Sequence, residues 1–165
     1  MTKNAHRDDI YLKRELLTNS FEGRPIEMLT ITGSNERLEE REEMIDGLFP
    51  ESEPSKRPYK FAKKRYIYLS SRVHPGEVAA SHMLNGFLGH ILSDPSKDIK
   101  VALALHHFVF VVISMLNPDG VYRGHYRTDT HGQNLNRFYI NPSRLTMPTI
   151  WAADQIINSM TLLTS

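Results

Sequence analysis

The sequence predicts an α/β fold, and three observations carry that reading. Phe108 to Met115 is apolar throughout except for Ser114, a run that suits a central strand covered on both faces. A strand-like run from Lys64 to Ser71 is followed closely by Val78, Ala79, Met83, Leu84, Phe87, Leu88, Ile91 and Leu92 at near-helical spacing. The resulting order is strand, helix, helix, strand, loop, helix. Right-handed crossovers in such an order bring the ends of both strands to one edge of the sheet.

Taken in order, Ile26 to Thr32 is rich in β-branched and apolar residues. Gly23 and Pro25 precede it and Gly33-Ser34-Asn35 follows it, so it reads as a strand. Glu36 to Glu43 is mostly charged with both signs mixed, and is expected as a solvated helix or loop face. Pro50 to Pro58, with three prolines and two serines, marks a surface loop. After the strand at Lys64–Ser71, the amphipathic helix runs to about Leu92 and is broken by Ser93-Asp94-Pro95-Ser96. Asp98 to His107 is expected as a second short helix. Asn117-Pro118-Asp119-Gly120 closes the apolar strand with turn chemistry. A polar loop then runs to Arg137, and Pro148 opens a last helix through Ile150, Trp151, Ile156, Ile157 and Met160.

Composition narrows the function classes. The chain has 165 residues, 40% of them hydrophobic, which is the size of one domain with enough apolar content for a core. Twenty basic and 19 acidic residues leave a net charge of +1, so charge offers no argument for nucleic acid or an anionic membrane. No run approaches the roughly 18 apolar residues that a membrane span needs. Residues 1–9 hold no apolar stretch of the kind a secretory signal requires. The absence of cysteine excludes disulfides and thiolate zinc sites, and a cytosolic setting is the expectation.

Two polar clusters carry the chemistry. His74-Pro75-Gly76-Glu77 stands where a strand gives way to a helix. Pro75 fixes its own φ and disfavours helix at His74, which keeps the imidazole on the turn, while Glu77 falls in the first helical turn. A neutral imidazole and a carboxylate three residues apart suit a divalent metal that stays open to substrate. A catalytic zinc takes three protein ligands and a water, and His74 and Glu77 are candidates for two of the three; the alternative from spacing alone is a polar turn with a helix-capping carboxylate. The second cluster runs from Arg123 to Arg137 and is dense in groups that bind carboxylates and oxyanions. Ligands of open α/β sheets bind beyond the carboxyl ends of the strands, so the two clusters are expected to face each other across one cleft. Together they point to metal-assisted hydrolysis at a chain end.

His74-Pro75-Gly76-Glu77, Asn117-Pro118-Asp119-Gly120 and Asn134-Leu135-Asn136-Arg137, in this order, resemble the zinc carboxypeptidases of the M14 class, and within it the cytosolic, tubulin-deglutamylating branch. The likeness runs from about Leu16 to about Ala153. It implies a mixed sheet flanked by helices and preceded by the end of a β-rich N-terminal segment. Residues 1–60 would be that segment and a linker, and residues 61–165 the N-terminal half of a catalytic domain. It implies one zinc, held by His74 and Glu77, and a carbonyl polarised by Arg127. Asn136 and Arg137 would grip the terminal α-carboxylate. Substrates of the branch are polyglutamate side chains and C-terminal glutamates of tubulin, with no nucleic acid or membrane partner.

In the family the third ligand, a histidine, and the general-base glutamate lie beyond the position of Ser165, which implies that this chain is an incomplete catalytic domain. His82, His90, His106, His107, His125 and His131 are not given the third-ligand role by the resemblance. Two alternatives accompany the carboxypeptidase reading. One is an inactive fragment with a binding role. The other is an aspartoacylase-like amidohydrolase, which shares a His-x-x-Glu motif and an Asn-Arg pair but lacks the Pro-Gly filling and the Asn-Pro-Asp-Gly motif.

Overall fold

The computed structural model describes residues 9–162. Its strands are β1 (Ile10–Asn19), β2 (Pro25–Gly33), β3 (Arg37–Arg41), β4 (Tyr59–Phe61), β5 (Arg65–Ser70) and β6 (Phe108–Ile113). Its helices are α1 (Val78–Ile91), α2 (Ile99–His107), α3 (Pro118–Tyr122) and α4 (Pro148–Leu162). Four strands form one mixed sheet in the order β1-β2-β6-β5, with helices packed on it, as the α/β reading requires. β1 and β2 form an antiparallel hairpin, β2 runs antiparallel to β6, and β5 lies parallel to β6. The hairpin of residues 10–33 is thus bonded into the same sheet as the strands that follow residue 60.

Strand alternation divides the core in two. Val109, Val111 and Ile113 of β6 face Leu17, Ile26, Met28 and the inner side of α4, where Ile150, Ala152, Ala153 and Ile156 are buried. Phe110 and Val112 face the other way, against Ile31, Leu84 and Ile91 of α1, and Val101 and Leu105 of α2. Both faces of β6 are therefore covered, which explains its uninterrupted apolar run. Each buried valine, leucine, isoleucine, methionine or phenylalanine among them contributes roughly 1.5–3 kcal/mol.

The helix boundaries follow local chemistry. Asp98 caps α2, its side chain accepting from Lys100 N at 2.8 Å. Asn117 caps α3 by accepting from Gly120 N at 2.9 Å, so the expected turn at residues 117–120 is the start of a short helix. Pro148 stands at the first position of α4.

The charged segment at residues 36–43 departs from expectation. Its central residues, Arg37–Arg41, form a strand, β3, paired with β4 in a separate two-stranded sheet. Its side chains are largely exposed, as their charge requires. Arg41 lies 3.4 Å over the Tyr59 ring, a cross-strand contact with a residue far away in sequence that local pattern does not reveal.

Lys64 and Arg57 hold buried charge. The Lys64 ammonium is surrounded by Thr32 Oγ1, Gly33 O, Asn35 Oδ1 and Leu105 O at 2.7–3.0 Å, tying the end of β2 to α2 and to the entry of β5. Burial draws its pKa down to about 8 despite these acceptors. Arg57 pairs with Glu15 at 2.6 Å, with the two side chains 3% and 4% exposed. Among the described residues no helix is long and apolar enough to cross a membrane.

Candidate active site

The loops leaving β5 and β6 run side by side beyond the ends of the parallel strands. Ser71 N donates to Ile113 O at 3.2 Å, Leu116 N to Ser71 O at 2.9 Å, and Asn117 N to Arg72 O at 3.1 Å. The buried Asn117 side chain adds a bond from Nδ2 to Val73 O at 3.3 Å. The strand pairing is thereby prolonged to the edge of His74.

Arg72 then turns the chain with a positive φ of 56°. A left-handed arginine is uncommon and is held here by its own side chain. Nε and Nη2 donate to Pro75 O at 3.1 and 2.5 Å, and Nη1 donates to Ser81 Oγ at 2.9 Å. The guanidinium thus fastens the turn to α1. Only the structure reveals this role, since the backbone angle has no signature in the sequence.

His74 is buried at 5% exposure, and Glu77, the residue before α1, is exposed at the mouth of the turn. His74 Nδ1 and Glu77 Oε1 lie 2.9 Å apart. On the other side of the ring, His74 Nε2 lies 2.9 Å from Asn134 Oδ1. Both ring nitrogens therefore face an oxygen acceptor. With Nε2–H donating to Asn134 Oδ1, the Nδ1 lone pair faces the Glu77 carboxylate, the arrangement in which the two can share a metal ion. An imidazole nitrogen and a carboxylate oxygen are zinc donors, so the pair fits two places of a zinc site. Among the described residues no group of three or more histidine, cysteine, aspartate or glutamate side chains is gathered for a metal.

The arginine loop faces this pair. Gly76 N donates to Tyr126 O at 2.7 Å, joining the two clusters through their backbones. Arg127 Nη1 lies 3.8 Å from Glu77 Oε1, with both side chains about half exposed. A screened pair of that kind contributes under about 1 kcal/mol, so the guanidinium remains available to a ligand. Leu135–Arg137 form one 3₁₀ turn capped by Asn134, whose Oδ1 accepts from Asn136 N at 3.2 Å. Asn136 is half-buried, and Arg137 is exposed with no ion-pair partner among the described residues.

The structure therefore brings His74, Glu77 and Arg127 together, and Asn136 and Arg137 stand on the turn that begins at Asn134. His125 and His131 are engaged elsewhere. His125 Nδ1 is 3.0 Å from Asp129 O, and the His131 ring meets the Phe21 ring edge-on at 4.3 Å. Sequence reasoning missed Asn134 as the residue that orients His74. Its presence in the Asn-Leu-Asn-Arg run was the available signal.

Glycine is required by space at two points. A Cβ on Gly76 would lie 2.5 Å from Tyr126 Cδ2, and one on Gly120 would lie 2.5 Å from Pro75 Cγ and 2.8 Å from Thr128 O. The turns at His74–Glu77 and Asn117–Gly120 thus pack on each other and on Tyr126 and Thr128 of the arginine loop.

The profile of the family described as zinc carboxypeptidase matches residues 2–160. Cytosolic carboxypeptidase-like protein 5 of Danio rerio is 46% identical over 150 residues, which is 91% of this chain and 17% of that protein. The Homo sapiens protein of the same name is 46% identical over 156 residues, covering 94% of this chain and 17% of its own length. The chain thus spans about 17% of the length of these curated relatives. A metallo-carboxypeptidase from Burkholderia cenocepacia superposes with a TM-score of 0.67 at 24% identity, covering 93% of this chain and 34% of that one. At that identity the likeness speaks for the fold.

Proposed function

This chain belongs to the zinc carboxypeptidase family, and on that premise we propose that it supplies the zinc-binding turn and the anion-binding loop of a cytosolic metallocarboxypeptidase. The reaction is removal of glutamate from polyglutamylated or C-terminal protein tails, with tubulin as the partner. The observation that carries the reading is the meeting of His74 Nδ1 and Glu77 Oε1 at 2.9 Å, with Arg127 across from them. The names of the relatives support a cytosolic setting.

His74 and Glu77 would hold the zinc. When bound, zinc polarises a carbonyl and makes its water a better nucleophile. Asn134 keeps the proton on His74 Nε2, so that Nδ1 presents its lone pair. Arg127 places a guanidinium where negative charge develops on the carbonyl oxygen. Arg137, exposed and unpaired among the described residues, takes the substrate's terminal α-carboxylate with its planar fork, and Asn136 adds a neutral donor. Anchoring the chain end in this way converts a bimolecular encounter into a positioned reaction.

Zinc titration followed by an assay for free glutamate from a polyglutamylated peptide tests the reading. One zinc per chain and released glutamate support it. Zinc binding with no release leaves a metal-binding segment without peptidase activity, and absence of both overturns the assignment for this chain.

A further inference from the structure

The turn that joins β1 to β2 carries groups that the proposed reaction does not use. Met28 pairs with Ile113 at the C-terminal end of β6, so the residues before Pro25 lie beyond that end, on the side of the cleft. There the turn meets the element that follows β6. Asp119, only 5% exposed, accepts from Ser20 Oγ at 2.6 Å, from Glu22 N at 3.1 Å and from Arg24 Nη1 at 2.7 Å. The Glu22 carboxylate accepts from Arg24 Nη1 at 2.5 Å and also from Arg123 Nε. The Arg24 guanidinium lies 4.0 Å from the centre of the Tyr122 ring. Phe21 meets His131 edge-on at 4.3 Å.

These contacts bracket Arg127. Arg123 stands before it and His131 after it. Asp129 Oδ1 accepts from His131 N at 2.9 Å and from Gln133 N at 2.7 Å, so this stretch holds its own shape. Its middle is tied to the zinc-binding turn by Gly76 N donating to Tyr126 O at 2.7 Å and to α3 by His125 N donating to Gly120 O at 2.9 Å, and the hairpin turn adds a tie at each end, at Arg123 and at His131. Gly120, beside Asp119, lies against Pro75 and Thr128, so the same tie bears on the zinc-binding turn.

Resting on the function proposed above, we infer that the hairpin turn Ser20–Arg24 is a positioning element that holds the arginine loop in place, so that Arg127 faces Glu77. Phe21, Glu22 and Asp119 act through the loop and touch no substrate.

The test compares the unmodified chain with a Phe21→Ala, Glu22→Gln double variant, chosen because Phe21 is half exposed and neither change removes a buried apolar group. Amide hydrogen exchange is read at residues 123–133 and, as a gauge of global stability, at Val109–Ile113. The loop amides are expected to exchange at least about tenfold faster while those of β6 stay within about twofold. On the zinc-loaded chain with a polyglutamylated peptide, kcat is expected to fall about tenfold at unchanged zinc content, with KM within about twofold, because a misplaced Arg127 weakens charge stabilisation and leaves the Arg137 anchor intact. Phe21→Tyr, with Glu22 retained, keeps the ring contact and is expected to behave as the unmodified chain. Loop exchange that changes no more than that of β6, or an unchanged kcat, overturns the positioning role. If the unmodified chain binds zinc but releases no glutamate, or binds no zinc and so loses the carboxypeptidase assignment, the exchange comparison alone decides the brace.

Discussion

His74 Nε2 lies 2.9 Å from Asn134 Oδ1, so the imidazole after β5 is fixed in direction by the loop that carries the arginines. The contact joins residues 60 positions apart and couples the metal-binding turn to the anion-binding loop. Removing the oxygen with Asn134→Ala frees the ring to rotate and removes the group that selects its tautomer. Zinc affinity is expected to fall about 10- to 100-fold, the usual effect of losing a hydrogen-bond partner behind a ligand. Chelator competition measures it, and an unchanged zinc affinity would show that Asn134 does not orient the ring.

Gly76 is the point where the two clusters touch through backbone. Gly76→Ala would place a methyl group 2.5 Å from Tyr126 Cδ2 and 2.8 Å from Tyr126 O. Either neighbour must move, and Tyr126 directly precedes Arg127. Overpacking of this kind costs roughly 1–3 kcal/mol. Urea denaturation is expected to report a loss in that range, and a variant as stable as the parent would mean that the contact relaxes freely.

The Arg57–Glu15 pair is buried on both sides, and the Arg57 guanidinium also lies 3.4 Å from the centre of the Phe49 ring. Burial lowers the Arg57 pKa, while Glu15 acts to hold it up. Glu15→Ala leaves that cation without its counter-charge, which costs about 3–5 kcal/mol. Replacing both partners with apolar residues is expected to cost less than the single change. Thermal unfolding of the two variants makes the comparison, and a single variant no worse than the double would contradict it.

Lys64 gives a pH dependence whose sign follows from linkage. Its folded-state pKa of about 8 lies below the ordinary 10.5. Between those values the unfolded chain binds more protons than the folded one, so stability rises with pH across that window. The unfolding free energy of the unmodified chain, taken relative to Lys64→Met, is expected to grow from pH 8 towards pH 10.5. A difference that stays flat, or falls, would mean that the four surrounding oxygens hold the ammonium charged.

Much of this architecture could be read from the sequence. The apolar run of β6, the periodicity of α1, and the helix starts at Asp98 and Pro148 are local signals, and each element formed where its signal lay. The turn from His74 to Glu77 between β5 and α1 was legible because proline and glycine at its centre dictate it. The rest depends on residues distant in sequence. In β1 the inward positions include Glu15 beside Leu17, an alternation blurred by a charge that Arg57 neutralises 42 residues later. β3 reads as a solvated charged face because its side chains are solvated, and only its pairing with β4 makes it a strand. The roles of Asn134 and Asp119 rest on partners 60 and nearly 100 residues away, which no spacing rule encodes.

The central claim is that His74 and Glu77 form the zinc-binding turn. Zinc titration of the chain and of His74→Ala by isothermal calorimetry tests it most directly. One zinc per chain, with affinity at least about tenfold weaker in the variant, is the expected result. Equal affinity in the two proteins, or no zinc bound by the unmodified chain, would contradict it.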